Sequence, residues 1–142
     1  MTEQKQSKRV DPLGSRDSNF FWENAERGAL TTQQCGDCEK YWHPPRPVCP
    51  ACHSFDQRHV ELSGRGTLHS WIVPRYPVAV GFDEAPIIAL VDLEEKGIRL
   101  VTNIVDADLS ELKPDLPVVV DFEKTSGGKS LPVFRLAGKA AQ

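Results

Sequence analysis

Beyond residue 63 the chain alternates short apolar runs with turn formers. GRGTLHSWIV (64–73), APIIALVDLEE (85–95), GIRLVTNIV (97–105), PVVVDFE (117–123) and LPVFRL (131–136) are rich in β-branched or apolar residues. Each predicts a strand. Glu95, Lys96 and Gly97 predict a tight hairpin between the second and third strands, and Ser126, Gly127 and Gly128 a turn between the last two. DADLSELKP (106–114) offers Asp or Ser caps, helical spacing of Leu109 and Leu112, and Pro114 as a stop, so a short helix is expected between strands three and four.

Near the N-terminus, SNFFWENAERGAL carries a cap at Ser18 or Asn19 and ends at Gly28, which predicts a helix over 19–28. Phe20, Phe21 and Trp22 are consecutive there. Neighbouring helical positions point about 100° apart, so the three rings cannot share one face. Two of them buried under the following segment would leave the third over, and all three are candidate partner-binding residues.

The strand order suggests an architecture. Five strands with a helix between the third and fourth is the order of an OB-fold, a small Greek-key barrel. The connection PRYPVAVGFDEAP, between strands one and two, holds Arg75, Tyr76 and Phe82 where such barrels carry binding loops. Packing of these aromatics on the barrel mouth is the simpler expectation.

Composition adds a compartment and excludes some partners. At 142 residues, 39% hydrophobic and 26% charged, the chain reads as a soluble globular protein with one main core, or a metal-stapled module beside a compact unit. The opening MTEQKQSKRVDPLGSRDSN is polar, which argues against a secretory signal or membrane span and for a cytoplasmic protein with a loose leader. The formal charge is −3 and no Lys/Arg cluster stands out, which disfavours nucleic-acid binding.

All four cysteines fall in CGDCEKYWHPPRPVCPAC, as two C-x-x-C pairs. This spacing matches a rubredoxin-like zinc ribbon, with Cys35, Cys38, Cys49 and Cys52 as ligands of one structural Zn²⁺. Thiolates are soft donors, and a closed set of four leaves no coordination position for substrate. Such binding contributes about 10 to 16 kcal/mol in apparent terms, enough to fold a segment with little core. Iron remains open from spacing alone, while disulfides fit a cytoplasmic chain poorly. His43 and His53 read as surface or packing residues, and Arg46 as an exposed one. Pro44, Pro45, Pro47 and Pro50 stiffen the path between the pairs. The expected organisation is a leader (1–17), a helix (18–30), the ribbon (31–60), the barrel (61–137) and a tail (138–142).

No catalytic constellation is visible. GxGxxG, P-loop, HExxH and nucleophile-elbow motifs are absent. Asp83 with Glu84 and Glu94 with Glu95 read as solvated turn charges, and His69 as a barrel histidine with no carboxylate near it in sequence.

The ordered set FFWENAERGAL, CGDCEKYWHPPRPVCPAC, LSGRGTLHSW, PIIALVDLEEKGIRLVTNIV and LPVFRL resembles the acyl-CoA-associated family of zinc-ribbon plus OB-fold proteins, once catalogued as a domain of unknown function, number thirty-five. The likeness spans about 18–137. It implies a non-catalytic accessory subunit in a hetero-oligomer with a thiolase-superfamily enzyme: a thiolase, an acyltransferase, or a lipid-transfer-protein-like aldolase of steroid side-chain breakdown. The partner would carry the catalytic residues and share its acyl-CoA site, and the four cysteines match the family's zinc ligands one for one. The resemblance assigns no acyl-CoA contact to a particular residue. Two other classes compete: a single-stranded nucleic-acid binder built from the same two modules, and a self-sufficient enzyme using the loop between strands one and two, for which no nucleophile is evident.

Overall fold

In a computed structural model, residues 8–95 and 97–138 are described. Helix α1 (Asn19–Glu26) is followed by β1 (Thr31–Cys35), β2 (Tyr41–Trp42) and β3 (Gln57–Glu61), then by the strands β4 (Arg65–Ile72), β5 (Ile87–Leu93), β6 (Arg99–Ile104), β7 (Pro117–Lys124) and β8 (Ser130–Leu136). The first three strands form a small antiparallel sheet in the order β2-β1-β3, and the last five close into a barrel in the order β4-β5-β6-β8-β7. β7 pairs back onto β4, and β6 runs parallel to β8 at Ile104 and Phe134. This is the expected mainly β arrangement of helix, ribbon and five-stranded OB-like barrel.

Helix α1 is shorter than its pattern suggests. Its interior face is Phe21 with Ala25, one turn apart. Arg27 already caps it, and Gly28, at φ 76, turns the chain so that the Ala29 amide bonds back to the Asn24 carbonyl. The Ser18 hydroxyl accepts from the Ser15 amide at 2.9 Å and makes no cap bond to the helix.

The helix expected over 106–114 is a single 3₁₀ turn, Leu109–Glu111, with Asp108 and Glu111 forming a capping box. The flanking residues Asp108 and Leu112 are already extended, at ψ 147 and ψ 128, so the turn goes no further, and Asp106 at φ 54 and Asp115 at φ 65 redirect the chain beyond it. Only Leu112 of the expected pair reaches the core; Leu109 is exposed. Of the hairpin between β5 and β6, Lys96 lies outside the described residues, and Gly97 at φ 88 lets the Leu93 amide reach the Ile98 carbonyl at 3.0 Å.

Within residues 8–17, expected as part of a loose leader, Arg9 and Asp11 instead find partners on the barrel, and Leu13 is exposed; residues 1–7 lie outside the described residues. Arg9 donates to Glu123 at 2.7 Å and to Asn103 at 3.1 Å, and its guanidinium sits 4.6 Å above the Phe82 ring. Asp11 accepts from the Gly127 amide at 3.1 Å. This strap ties the β4–β5 connection to the β7–β8 turn.

The main core joins the barrel to the helix. Leu68, Val91, Val118 and Phe134 fill the barrel, and Phe21, Leu30 and Leu62 extend the same cluster beneath α1. A bulge between Leu68 and Ser70 changes the register of β4 against β5. Beyond it, Ser70 and Ile72 face outward opposite Leu90 and Ile88.

Candidate functional site

The two C-x-x-C turns are near copies. In each, the amide of the residue after the second cysteine bonds to the carbonyl of the first: Glu39 to Cys35 at 3.1 Å and His53 to Cys49 at 3.0 Å. Both of these residues take the left-handed backbone, at φ 64 and φ 63. The Asp37 and Cys38 amides each donate to Cys35 Sγ at 3.4 Å. Gly36 sits so close to the Asp56 carboxylate that a side chain would displace it.

The four sulfurs converge, all within 4.8 Å of one another. Cys35 and Cys52 Sγ lie 3.5 Å apart, Cys38 and Cys49 Sγ 3.6 Å. A tetrahedral ion with metal–sulfur bonds of about 2.3 Å requires sulfur–sulfur edges of about 3.8 Å, whereas a disulfide would need about 2.0 Å. The spacing therefore fits one closed, tetrahedral structural metal. Protonation points the same way. The Cys38 amide, against the effect of burial and with help from the Asp37 amide, pulls the Cys35 thiol down to about 6. At Cys52 the Ser54 amide favours the thiolate, but Cys35, burial, and the other two cysteines outweigh it and push the thiol up to about 12. Four clustered thiolates need a cation between them at neutral pH.

Neither nearby histidine belongs to this cluster. His43 packs 5.4 Å from the Phe21 ring, and burial lowers its imidazole below the ordinary value. His53 is exposed and serves through its backbone. The Arg46 side chain is exposed, as expected, while its amide donates to the buried Gln33 side chain at 2.7 Å. The proline run has a definite place: Pro44 and Pro45 line a cavity of about 310 Å³ together with Trp22 of α1 and Val101 and Pro132 of the barrel.

The three adjacent aromatics separate as helical geometry requires, though not all toward a partner. Phe21 is a correction: it is 5% exposed and belongs to the core, because it shares the inner face with Ala25. Phe20 stacks on His59 with ring centroids 3.8 Å apart and planes 7° from parallel. Trp22 meets Phe21 edge-on at 4.9 Å and stays half-exposed along the cavity.

In the β4–β5 connection the two aromatics differ. Phe82 is held beneath Arg9, whereas Tyr76, expected on the barrel mouth, is 96% exposed. His69 does have a carboxylate: the β4 bulge brings its Nδ1 to 3.4 Å from Asp92, which also accepts from Arg99 Nε at 2.6 Å. Arg99's bonds hold the Asp92 carboxyl below its usual range. The trio lies on the barrel exterior and contains no nucleophile. No described helix is long and apolar enough to cross a membrane.

A four-cysteine ribbon followed by a closed five-stranded barrel defines a two-module protein of the zinc-ribbon and OB-fold class. Residues 22–56 match the family described as "ChsH2, rubredoxin-like zinc ribbon domain", and residues 59–123 match "ChsH2, C-terminal OB-fold domain". The chain is 41% identical over 137 residues to the "Probable enoyl-CoA hydratase alpha subunit" of Thermomonospora curvata, covering 96% of this chain and 43% of that one. It is 36% identical over 114 residues to the "3-oxo-4,17-pregnadiene-20-carboxyl-CoA hydratase alpha subunit" of Mycobacterium tuberculosis, covering 78% and 36%. It thus spans less than half the length of these two relatives. The solved structure described as "Ltp2-ChsH2(DUF35) aldolase" is 40% identical, with TM-score 0.84, and the match covers 89% of this chain and 99% of that one. The chain belongs to the ChsH2, or DUF35, family of zinc-ribbon plus OB-fold proteins.

Proposed function

We propose that this chain is a non-catalytic accessory module that binds and stabilises a thiolase-superfamily aldolase in the cytoplasm, helps form its acyl-CoA site, and so supports carbon–carbon cleavage of a steroid-type acyl-CoA thioester. The carrying observation is the match over 89% of this chain and 99% of the ChsH2 chain described with an Ltp2 aldolase. The name of the Mycobacterium relative motivates the steroid substrate.

In this reading Cys35, Cys38, Cys49 and Cys52 hold one Zn²⁺, and its role is to cross-link the two turns. The chain's own residues then position surfaces. The clamped turns fix Pro44 and Pro45 along the cavity that Trp22 also lines, and the Arg9 strap fixes the β4–β5 connection. The working units are the helix (18–30), the ribbon (31–60) and the barrel (61–137).

Co-expression with an Ltp2-type aldolase subunit, followed by size-exclusion chromatography, tests the reading. One co-eluting peak with retro-aldol activity on an acyl-CoA, and no turnover by this chain alone, is expected. Separate peaks at micromolar concentration, or unaided turnover, refute it. A second reading has its own support, since the same segment matches hydratase alpha subunits more than twice its length: the module would then serve such a hydratase. Assaying the complex for hydration of an enoyl-CoA separates the two. Anisotropy with labelled single-stranded nucleic acid is expected to show no salt-sensitive binding.

A further inference from the structure

The strand IIALVDL is apolar at both parities, the pattern of a strand covered on both faces. Its inward residues Ala89, Val91 and Leu93 fill the barrel core. Its outward residues Ile88 and Leu90 belong to the wall that water would reach. The neighbouring strands continue this stripe. Ile72 of β4 stands opposite Ile88 and is 63% exposed; Val101 of β6 stands opposite Leu90 and is 68% exposed. Val101 also lines the cavity beside the half-exposed Trp22, so the apolar stripe runs diagonally from β4 to α1, bordered by Ser70 on one side and by Asn103 with its Arg9 partner on the other. An outer barrel wall of this kind, in a chain otherwise 26% charged, marks a contact surface.

We infer that this outer face of β4, β5 and β6, extended by Trp22, is the surface on which the aldolase-type subunit docks; the inference rests on the function proposed above. Charge narrows the occupant. At one end of the stripe, Asp92, Arg99 and His69 satisfy one another. At the other, three residues beyond Ile72, the exposed Arg75 has no carboxylate partner among the described residues. Against an aldolase-type subunit, Arg75 would be satisfied by a carboxylate at the border of that subunit's apolar patch. The surface fits a different subunit that brings an apolar patch bordered by an acidic side chain. Exposed positions of this sort tolerate substitution, so docking can be tested without unfolding the barrel.

The test uses the full chain and a purified Ltp2-type aldolase subunit. Val101→Asp and Ile72→Asp are each expected to weaken the complex at least tenfold in Kd while keeping the unaltered melting temperature and metal content. Arg75→Glu should weaken it several-fold and reverse its dependence on salt. Val119→Ser, on the outer face of β7, should bind within twofold of the unaltered chain. If the aspartate variants bind as the unaltered chain does, the docking face is wrong and the accessory function stands. If the unaltered chain makes no complex, both fall. If the chain instead forms a dimer that Val101→Asp dissociates, the face belongs to a second copy and the inference is overturned.

Discussion

Among the described residues, the ribbon's apolar cluster is Cys35, Trp42 and Cys49, whereas the barrel and helix share a continuous core of thirteen buried residues. The two regions therefore depend on different forces. The ribbon gains its order from a four-sulfur clamp and a stiff proline path, and little of it would persist once the clamp opens. The barrel depends on apolar burial, which is additive over many side chains and tolerant of losing one. Between them, α1 belongs energetically to the barrel, since Phe21, Leu30 and Leu62 join the barrel's cluster. Holding one region by chemistry and the other by packing makes them separable by experiment.

The sharpest break comes from the metal. Chelation, or Cys49→Ser at a fully buried ligand position, is expected to abolish amide-exchange protection across Thr31–Cys35 and Gln57–Glu61 while β4 to β8 keep theirs. Elemental analysis of the untreated chain should find about one zinc per chain. Equal loss of protection in both regions would show that they unfold as one. Because ligands must shed protons to bind, apparent metal affinity should fall as pH is lowered, measured by competition with a chromophoric chelator.

Next in size is the barrel's own core. Phe134 is fully buried, and Phe134→Ala is expected to cost about 3–5 kcal/mol in denaturant unfolding. The same variant should leave metal stoichiometry unchanged. A smaller effect is expected at Gly66, where an added Cβ would meet the Asp92 carbonyl oxygen at 2.5 Å. Backbone there must shift, so Gly66→Ala should destabilise by about 1–3 kcal/mol, seen as a lower denaturation midpoint.

The smallest expected change is acid-dependent. Bonds from Arg99 lower the Asp92 carboxyl in the folded state, so its stabilising effect is complete above the ordinary carboxylate range and is lost as pH falls through the lowered value. Asp92→Asn should flatten that acid limb of the stability profile and leave neutral-pH metal binding untouched. The pair is largely solvent-exposed, which keeps the effect modest.

Several parts of the fold were legible in residue order because their signals are local. The two C-x-x-C pairs predict a four-sulfur site from spacing alone, and the sulfurs do converge. The five strands follow from apolar runs and turn residues, and each is present within a few residues of its expected bounds. The failures share a cause. The helix over 106–114 shortened to one turn because Asp108 and Leu112, on either side of it, take extended backbone, which no pattern of leucines reports. Phe21 could not be told from Phe20 and Trp22 until the helix phase against the core was known. The leader was read as loose because the partners of Arg9, namely Asn103 and Glu123, are about a hundred residues away.

What the chain specifies by itself is therefore its covalent chemistry and local periodicity: which thiols are available, where strands begin, and that IIALVDL wants cover on both sides. Tertiary structure decided which face of each element is inside. It alone sets the β4 bulge that brings His69 to Asp92, the closure that aligns Ile72, Ile88, Leu90 and Val101 along one wall, and the strap that fixes the loop beside them. Those outcomes depend on contacts between residues far apart in sequence, whose free energy exists only once the barrel has closed.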